Sequence, residues 1–347
     1  MLQVPPIKRE VIDQWPVAES GLPVRVVNSV TPEGVAKIGE LRTWSDQQLL
    51  SLRSLGRISL GHVRAFFKLC GQIEQGKQSF QNIQEVLAIF LDGPELKVLS
   101  SRYGFDRRDL VAGRNKATLQ EIGNAEHRTR ERIRQVQETA KKRLQSRLAS
   151  ACLQPFVEYF CRYVAERGGA VACADLAPIQ NDTTLAGHNV CGVLLLLSDL
   201  VPARIAFYHG FFSVLPEATL QALESQALEA LRKEARPVPL DALLKSIPPP
   251  ERAADLRLPL MYLMDHCPAA AATVDNRYFL FAGGTQPFLV EIMKELERPA
   301  HYRTVTNAFN ERVKPLSRKG AGFILEMLNA NPQCTRVDRG VYDLKAE

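Results

Sequence analysis

The stretch Thr118-Leu-Gln-Glu-Ile-Gly-Asn-Ala-Glu-His-Arg-Thr-Arg-Glu-Arg-Ile-Arg-Gln-Val-Gln137 has the pattern of two helices joined by a tight turn. Thr118 precedes Glu121 by three residues, which is the spacing of a capping box, and it predicts a helix beginning after Thr118. Thr129 can cap a second helix in the same way. The first exposed side chains of that second helix are then Arg130, Glu131, Arg134 and Gln135.

An apolar stripe continues along this second helix. Its members recur at helical spacing and are Ile133, Val136, Ala140, Leu144 and Leu148. The stripe predicts one long helix that is buried on one side. The basic residues Arg130, Arg134, Lys141 and Arg143 fall mostly off the stripe, so the other side is predicted to be cationic.

The positive charge of the chain is concentrated around this stretch. Residues 97–147 contain fourteen Lys and Arg against six Asp and Glu, an excess of eight, whereas the whole chain has a net charge of +6. Each Lys or Arg that meets a phosphate displaces a condensed counterion, so this segment favours a polyanionic partner. The alternative is an ordinary solvated helix face.

The segment Glu95-Leu-Lys-Val-Leu-Ser-Ser-Arg-Tyr-Gly-Phe105 and the stretch 118–137 together resemble the promoter-reading helix-turn-helix of region 4 in bacterial primary sigma factors. The resemblance implies that Arg130, Glu131, Arg134 and Gln135 read base edges in the major groove. Arg suits guanine, Glu suits cytosine and Gln suits adenine. It also implies that Arg132, Lys141 and Lys142 lie nearer to phosphates. The alternative for each is an exposed, solvated or salt-bridged helix residue.

A second pattern covers residues 23–69. It consists of Pro-Val-Arg25-Val-Val-Asn28-Ser, Ile38-Gly39-Glu-Leu41, Leu50 and Leu55-Gly-Arg-Ile-Ser-Leu60, and it resembles the C-terminal domain of the RNA polymerase alpha subunit. The resemblance implies a helix-hairpin-helix-like fold in which Arg25 enters the minor groove of DNA. It also implies that Asn28, Gly56 and Ser59 contact the DNA backbone, because a Gly-containing hairpin brings main-chain N–H groups close to phosphate oxygens. The alternative is a helical module that packs only against protein.

The region from about residue 150 onwards is predicted to form three similar units, each with helices followed by a β-hairpin. The hairpin segments are 203–214, 272–281 and 335–344, with turn residues at Asp275-Asn276 and Asp338-Arg339-Gly340. This is the pattern of a winged helix. The last unit resembles a small winged-helix module of bacterial DNA-associated proteins, which implies phosphate contacts by Arg318, Lys319, Arg336 and Arg339. A dimerisation or docking wing is the alternative there, and packing roles are expected for the other two units.

The predicted fold class is therefore mainly α, a multi-domain chain of helix-hairpin-helix, helix-turn-helix and winged-helix units with short β-hairpins. The predicted segments are an N-terminal arm (1–22), an alpha-subunit-like module (23–75), a sigma-region-4-like unit (76–150) and winged-helix-like units at 151–235, 236–285 and 286–347.

Composition and missing motifs exclude several other classes. Apolar residues make up 46% of the chain, which suits a folded protein, yet no apolar run approaches the roughly 20 residues that span a bilayer. The N-terminus lacks the charged start and apolar core of a secretory signal, so a cytoplasmic protein without membrane contact is expected. The seven cysteines are scattered, the histidines are isolated, and neither a Walker-type loop nor a His-Glu-x-x-His motif is present. We expect no metal, no cofactor and no enzyme activity.

These observations predict a sequence-specific duplex DNA-binding protein that acts as a transcription regulator. Two alternatives remain open. One is an accessory DNA-binding subunit of a mobile-element or anti-phage system, in which the winged helices dock partner proteins. The other is an adaptor that binds RNA polymerase or other transcription proteins.

Overall fold

Helices form most of this computed structural model, and its strands form small antiparallel sheets, which confirms the mainly α class. The structure describes residues 1–107, 117–234, 236–248 and 255–345. The helices are α1 (Arg9–Asp13), α2 (Val24–Val30), α3 (Ile38–Arg42), α4 (Asp46–Ser51), α5 (Arg57–Glu74), α6 (Ile83–Phe90), α7 (Gly93–Tyr103), α8 (Leu119–Ala125), α9 (Arg130–Leu144), α10 (Arg147–Ala165), α11 (Val190–Leu200), α12 (Glu217–Lys233), α13 (Leu240–Ser246), α14 (Arg257–His266), α15 (Phe281–Glu295), α16 (Tyr302–Arg312) and α17 (Ala321–Ala330).

The strands are short. They are β1 (Leu2–Gln3), β2 (Ser79–Phe80), β3 (Ala170–Ala172), β4 (Ala206–Tyr208), β5 (Phe211–Ser213), β6 (Val238–Pro239), β7 (Ala270–Ala272), β8 (Arg277–Leu280), β9 (Ala300–His301), β10 (Cys334–Asp338) and β11 (Val341–Leu344). The chain divides into two compact units. Unit 1 comprises Met1–Tyr163 and Cys173–Ile205, and unit 2 comprises Val164–Ala172 and Ala206–Glu347.

The first 22 residues differ from the expected arm or loop. They contain β1 and α1, and β1 pairs with β2 in antiparallel register. Ile12 and Val17 are almost completely buried, and the backbone N–H of Leu148 donates to the carbonyl of Ser20. Burial of these apolar side chains stabilises the packed segment, although three prolines break its periodicity. The arm prediction is therefore wrong.

The predicted long helix is divided in two. α9 ends at Leu144 and α10 begins at Arg147, so Leu148 belongs to the next helix. The Oγ of Ser146 accepts from the N–H of Ala149 at 3.4 Å, which satisfies one donor in the first turn of α10. All five members of the apolar stripe are nevertheless buried, because the stripe continues across the break.

A repeated order of elements follows from α10 onwards. Each repeat runs helix, strand, helical segment, helix and two strands, and its helices and strands are α10-β3-α11-β4-β5, then α12-β6-α13-α14-β7-β8, then α15-β9-α16-α17-β10-β11. Each sheet places its last strand in the middle, in the orders β3-β5-β4, β6-β8-β7 and β10-β11-β9. The three predicted hairpins are confirmed. In the first repeat the sheet belongs to unit 2, whereas α11 belongs to unit 1.

The strand β7 joins the second and third repeats within unit 2. Ala270 and Ala272 belong to the core formed with α12, α13 and α14, whereas Ala271 belongs to the core formed with α15, α16 and α17. The outer edge of β7 is also covered, since the carbonyl of Ala272 accepts from the N–H of Lys314 at 2.8 Å and its N–H donates to Ser317 Oγ at 2.9 Å. Because successive side chains of a strand point to opposite faces, three consecutive alanines can be buried in two different cores.

Candidate nucleic-acid interface

Capping side chains position α8 and α9, as the sequence predicts. The Oγ1 of Thr118 accepts from the N–H of Glu121 at 3.1 Å, and the Glu121 carboxylate accepts from the N–H of Thr118 at 2.7 Å. The Oγ1 of Thr129 accepts from the N–H of Arg132 at 3.2 Å. Each contact satisfies a backbone donor that has no partner inside its own helix. Both predicted helix starts are confirmed.

The turn between α8 and α9 approaches α8 closely at Gly123. A Cβ added at Gly123 would lie 2.7 Å from the carbonyl oxygen of Arg128, which is shorter than real side chains tolerate. The N–H of Arg128 donates to the Gly123 carbonyl at 2.9 Å, and His127 adopts a φ of 50°. Glycine at position 123 therefore sets how tightly the chain returns into α9.

A small core lies beneath this turn. It consists of the buried side chains Val98, Ile122, Ile133 and Val136. α9 packs against α6, α7 and α8, so one side of the helix is held by three neighbours. The Lys97 ammonium lies 2.9 Å from the Glu126 carboxylate and links α7 to the turn. The outer side of α9 is thus presented on a fixed support.

The predicted base-reading residues all lie on the exposed side of α9 at its N-terminal end. They are Arg130, Glu131, Arg134 and Gln135. Arg134 donates two hydrogen bonds to Glu131, at 2.8 and 2.9 Å, and these lower the pKa of the Glu131 carboxyl. The Arg130 guanidinium makes no hydrogen bond or ion pair with any residue that the structure describes. Exposed pairs such as Glu131–Arg134 are weak, so both side chains are available to a ligand.

The three residues of α9 that are predicted to lie near phosphates, Arg132, Lys141 and Lys142, differ in their surroundings. Arg132 and Lys142 are exposed. Lys141 is half-buried, and its ammonium lies 3.6 Å from Asp199 of α11, a carboxylate that also accepts from the Tyr103 hydroxyl at 2.6 Å. Lys141 therefore helps to join α9 to α11, and the expectation of a freely presented Lys141 is corrected. The partner Asp199 is distant in sequence, which is why the sequence pattern did not reveal it.

The alpha-subunit-like segment presents three of its four predicted contact residues. Arg25 and Asn28 lie three apart on α2, share a face, and are exposed. Gly56 is the exposed N-cap of α5, and a Cβ there would meet nothing within 4 Å. Ser59 is only 8% exposed, so the expectation that it contacts a DNA backbone is corrected. A hydrogen bond of 2.9 Å between the hydroxyls of Ser29 and Ser54 fixes α2 against the residues before α5.

Two further cations stand beside Gly56 that the sequence analysis missed. Arg53 and Arg57 are exposed, and neither forms an ion pair within the described parts of the chain. They flank the Gly-containing turn that the resemblance identified. Their closeness to Gly56 in sequence was the signal that could have identified them. The resemblance implies DNA contacts only at other positions of this segment.

The C-terminal repeat presents its predicted cations unequally. Arg318, Arg336 and Arg339 are exposed, and the Arg336 Nε donates to the Asp338 carbonyl at 3.1 Å. Lys319 is half-buried, with its ammonium 3.6 Å from the centre of the Phe281 ring. A cation held over an aromatic face contributes to packing, so the expected phosphate contact of Lys319 is corrected.

The helices before the three hairpins carry little positive charge. α11 is almost wholly buried, α14 contains Arg257 and Asp265, and α17 has one charged residue, Glu326. By contrast α9 carries six Lys and Arg and two Glu. Among these four helices, α9 is therefore the one with a cationic outer surface.

No protein-family model, curated protein or solved structure matches this chain at a significant level. Within the described ranges, no helix is both long and apolar enough to cross a membrane. The same residues contain no group of three or more His, Cys, Asp or Glu arranged to hold a metal ion.

Proposed function

We propose that this protein binds duplex DNA and regulates transcription, with α9 in the major groove. The observation that carries the proposal is the exposed N-terminal end of α9, where Arg130 stands beside Glu131, Arg134 and Gln135 on a helix whose opposite side is buried. The N-terminal residues of a recognition helix are those that meet base edges. A capped helix on a fixed support suits such a role, because base contacts need side chains of defined position.

The exposed cations of the alpha-subunit-like segment supply a second contact. Arg25 enters the minor groove in this proposal, and Arg53 and Arg57 meet the phosphates beside it. Most hydrogen bonds to DNA go to phosphate and sugar, and they set the position of the protein without specifying sequence. The α2–α5 surface therefore adds affinity, while α9 adds specificity.

The three repeats that follow α9 are winged helices in this proposal. Their element order and the central position of the last strand in each sheet support that assignment. In the last repeat, the exposed hairpin residues Arg336 and Arg339 contact phosphate in this proposal, and their exposure supports it.

The experiment is selection of retained sequences from a random duplex pool, at salt concentrations from low to physiological. The wild-type chain is compared with Arg130→Ala and with the matched control Arg257→Ala, which changes the first residue of α14. An enriched motif that Arg130→Ala loses and Arg257→Ala keeps supports sequence-specific regulation. A steep salt dependence without a motif would indicate an architectural or accessory role. No binding at low salt would overturn the proposal.

A second candidate function is docking of partner proteins by the repeats. Residues 206–347 contain seventeen Lys and Arg and seventeen Asp and Glu, so this part carries no net charge, and the helix α17 is largely apolar. A region without net positive charge and with a largely apolar helix is better suited to binding a protein than to binding DNA. This chain would then be an adaptor of RNA polymerase or an accessory subunit. Binding of purified bacterial RNA polymerase by Arg130→Ala, after DNA binding is lost, would favour it.

A further inference from the structure

A groove in unit 1 is unrelated to the proposed DNA-reading residues. It has a volume of about 310 Å³ and lies among α1, the end of α9, α10 and α11. Its lining is mainly apolar and includes Trp15, Leu144, Val157, Leu197 and Leu200. This volume lies at the lower end of the roughly 300–1,000 Å³ of pockets that hold small molecules. The groove is therefore large enough for a small ligand with an apolar body.

The charged residues of the groove are all positive. Arg147 and Arg204 line it, and neither Asp nor Glu is among its lining residues. The Arg147 guanidinium is held 3.0 Å from the Glu19 carboxylate. Arg204 is exposed and forms no ion pair with a carboxylate in the described part of the chain, and its guanidinium contacts the thiol of Cys161, a neutral group that leaves its charge uncompensated. Arg204 is thus an available cation beside an apolar groove.

We propose that this groove binds a free single-chain amphiphilic carboxylate whose apolar chain fits the volume of about 310 Å³. The apolar chain lies against Trp15, Val157 and Leu200, and the carboxylate accepts hydrogen bonds from the Arg204 guanidinium. The planar guanidinium matches the two carboxylate oxygens, and such charge-assisted pairs are the strong ones. A cationic amphiphile lacks a partner here, and a neutral one gains only the apolar contacts.

The test uses the fluorescence of Trp15, which lines the groove. The chain contains two tryptophans, so Trp44→Phe leaves Trp15 as the reporter. Decanoate, decan-1-ol and decyltrimethylammonium are titrated separately below their micelle concentrations. We expect a saturable change with decanoate, a weaker one with decan-1-ol and none with the cation. Absence of a saturable change with decanoate would overturn the proposal.

Two matched variants in the Trp44→Phe background separate the head-group contact from simple apolar adsorption. Arg204→Met removes the charge and keeps a long side chain, whereas Arg162→Met removes an exposed charge of α10 outside the groove. We expect Arg204→Met to bind decanoate about tenfold more weakly, as loss of a charge-assisted hydrogen bond implies. Arg162→Met should bind as its parent does. Equal binding of decanoate by both variants would contradict the assigned role of Arg204.

Discussion

The helix α9 differs from α14 and α17, the third helices of the second and third repeats, mainly in the charge of its outer side. All three have a buried side. The outer side of α9 is cationic, whereas α17 exposes no basic residue and the Arg257 of α14 is paired with Asp241. Similar helical frameworks therefore present different chemistry on their outer sides, and the fold alone does not define what each helix binds.

A substitution in the turn before α9 should have the largest effect, because this turn positions the cationic helix. Gly123→Ala places a Cβ against the Arg128 carbonyl, so the turn must move and α9 with it. We expect a loss of about 1–3 kcal/mol in the free energy of unfolding, together with loss of sequence-specific DNA binding. Urea unfolding and fluorescence anisotropy measure the two effects. The control is Gly71→Ala in α5, where a Cβ meets nothing within 4 Å and stability should not fall. Equal behaviour of both variants would contradict this account of Gly123.

The first residues of α9 and α14 test the contrast directly. Arg130→Ala should lower discrimination between target and random duplexes by about 1–3 kcal/mol, the contribution of one bidentate contact to guanine. Arg257→Ala should leave discrimination unchanged, because Arg257 is engaged with Asp241. Competition binding at fixed salt measures both. A larger effect from Arg257→Ala would reverse the roles assigned to the two helices.

Two neighbouring lysines of α9 allow an exposed cation, Lys142, to be compared with a cation that is half-buried beside a carboxylate, Lys141. Lys142→Ala should weaken binding to all duplexes alike and reduce the slope of log affinity against log salt by about 0.9. Lys141→Ala should change the slope less, because Lys141 is half-buried beside Asp199. Affinities at four or more salt concentrations give the slopes. A slope that stays unchanged in Lys142→Ala would remove the phosphate contact from the proposal.

Acidification tests the contact between His188 and α6, a helix that packs against α9, and it should have the smallest effect on stability. Burial lowers the pKa of His188, whose Nε2 lies 2.9 Å from Gln84 Oε1. Because the neutral ring is favoured in the folded state, its contribution to stability is present above pH 6.5 and is lost as the pH falls through the lowered pKa. The unfolding midpoint should therefore fall more steeply below pH 6.5 in the wild type than in His188→Gln. Parallel profiles would show that His188 does not titrate in this way.

Sequence reasoning succeeded where the determining contacts are local. The caps at Thr118 and Thr129 and the three hairpin turns depend on residues within a few positions of each other, so their patterns are visible in the chain. The engagement of Lys141 by Asp199, and of Lys319 by Phe281, depends on residues far apart in sequence. The burial of Ser59 and of apolar side chains such as Ile12 and Val17 in the first 22 residues has the same origin, since tertiary packing decides it.

The break between α9 and α10 shows a different limit. Apolar spacing alone predicted one helix through Leu148, and the spacing was satisfied on both sides of the break. A helical stripe specifies which side chains are buried, but it does not require the backbone between them to stay helical. Ser146 is the local feature that accompanies the break, because its hydroxyl accepts from the start of α10.

The alanine strand β7 limits how this chain can be shortened. A fragment ending near residue 285 would keep Ala270–Ala272 but remove both the core around Ala271 and the backbone partner of Ala272. That fragment would display an uncovered strand edge with small apolar side chains, a surface that favours aggregation. We therefore expect the second and third repeats to unfold as one cooperative block, and amide hydrogen exchange in β7 should report the opening of both together.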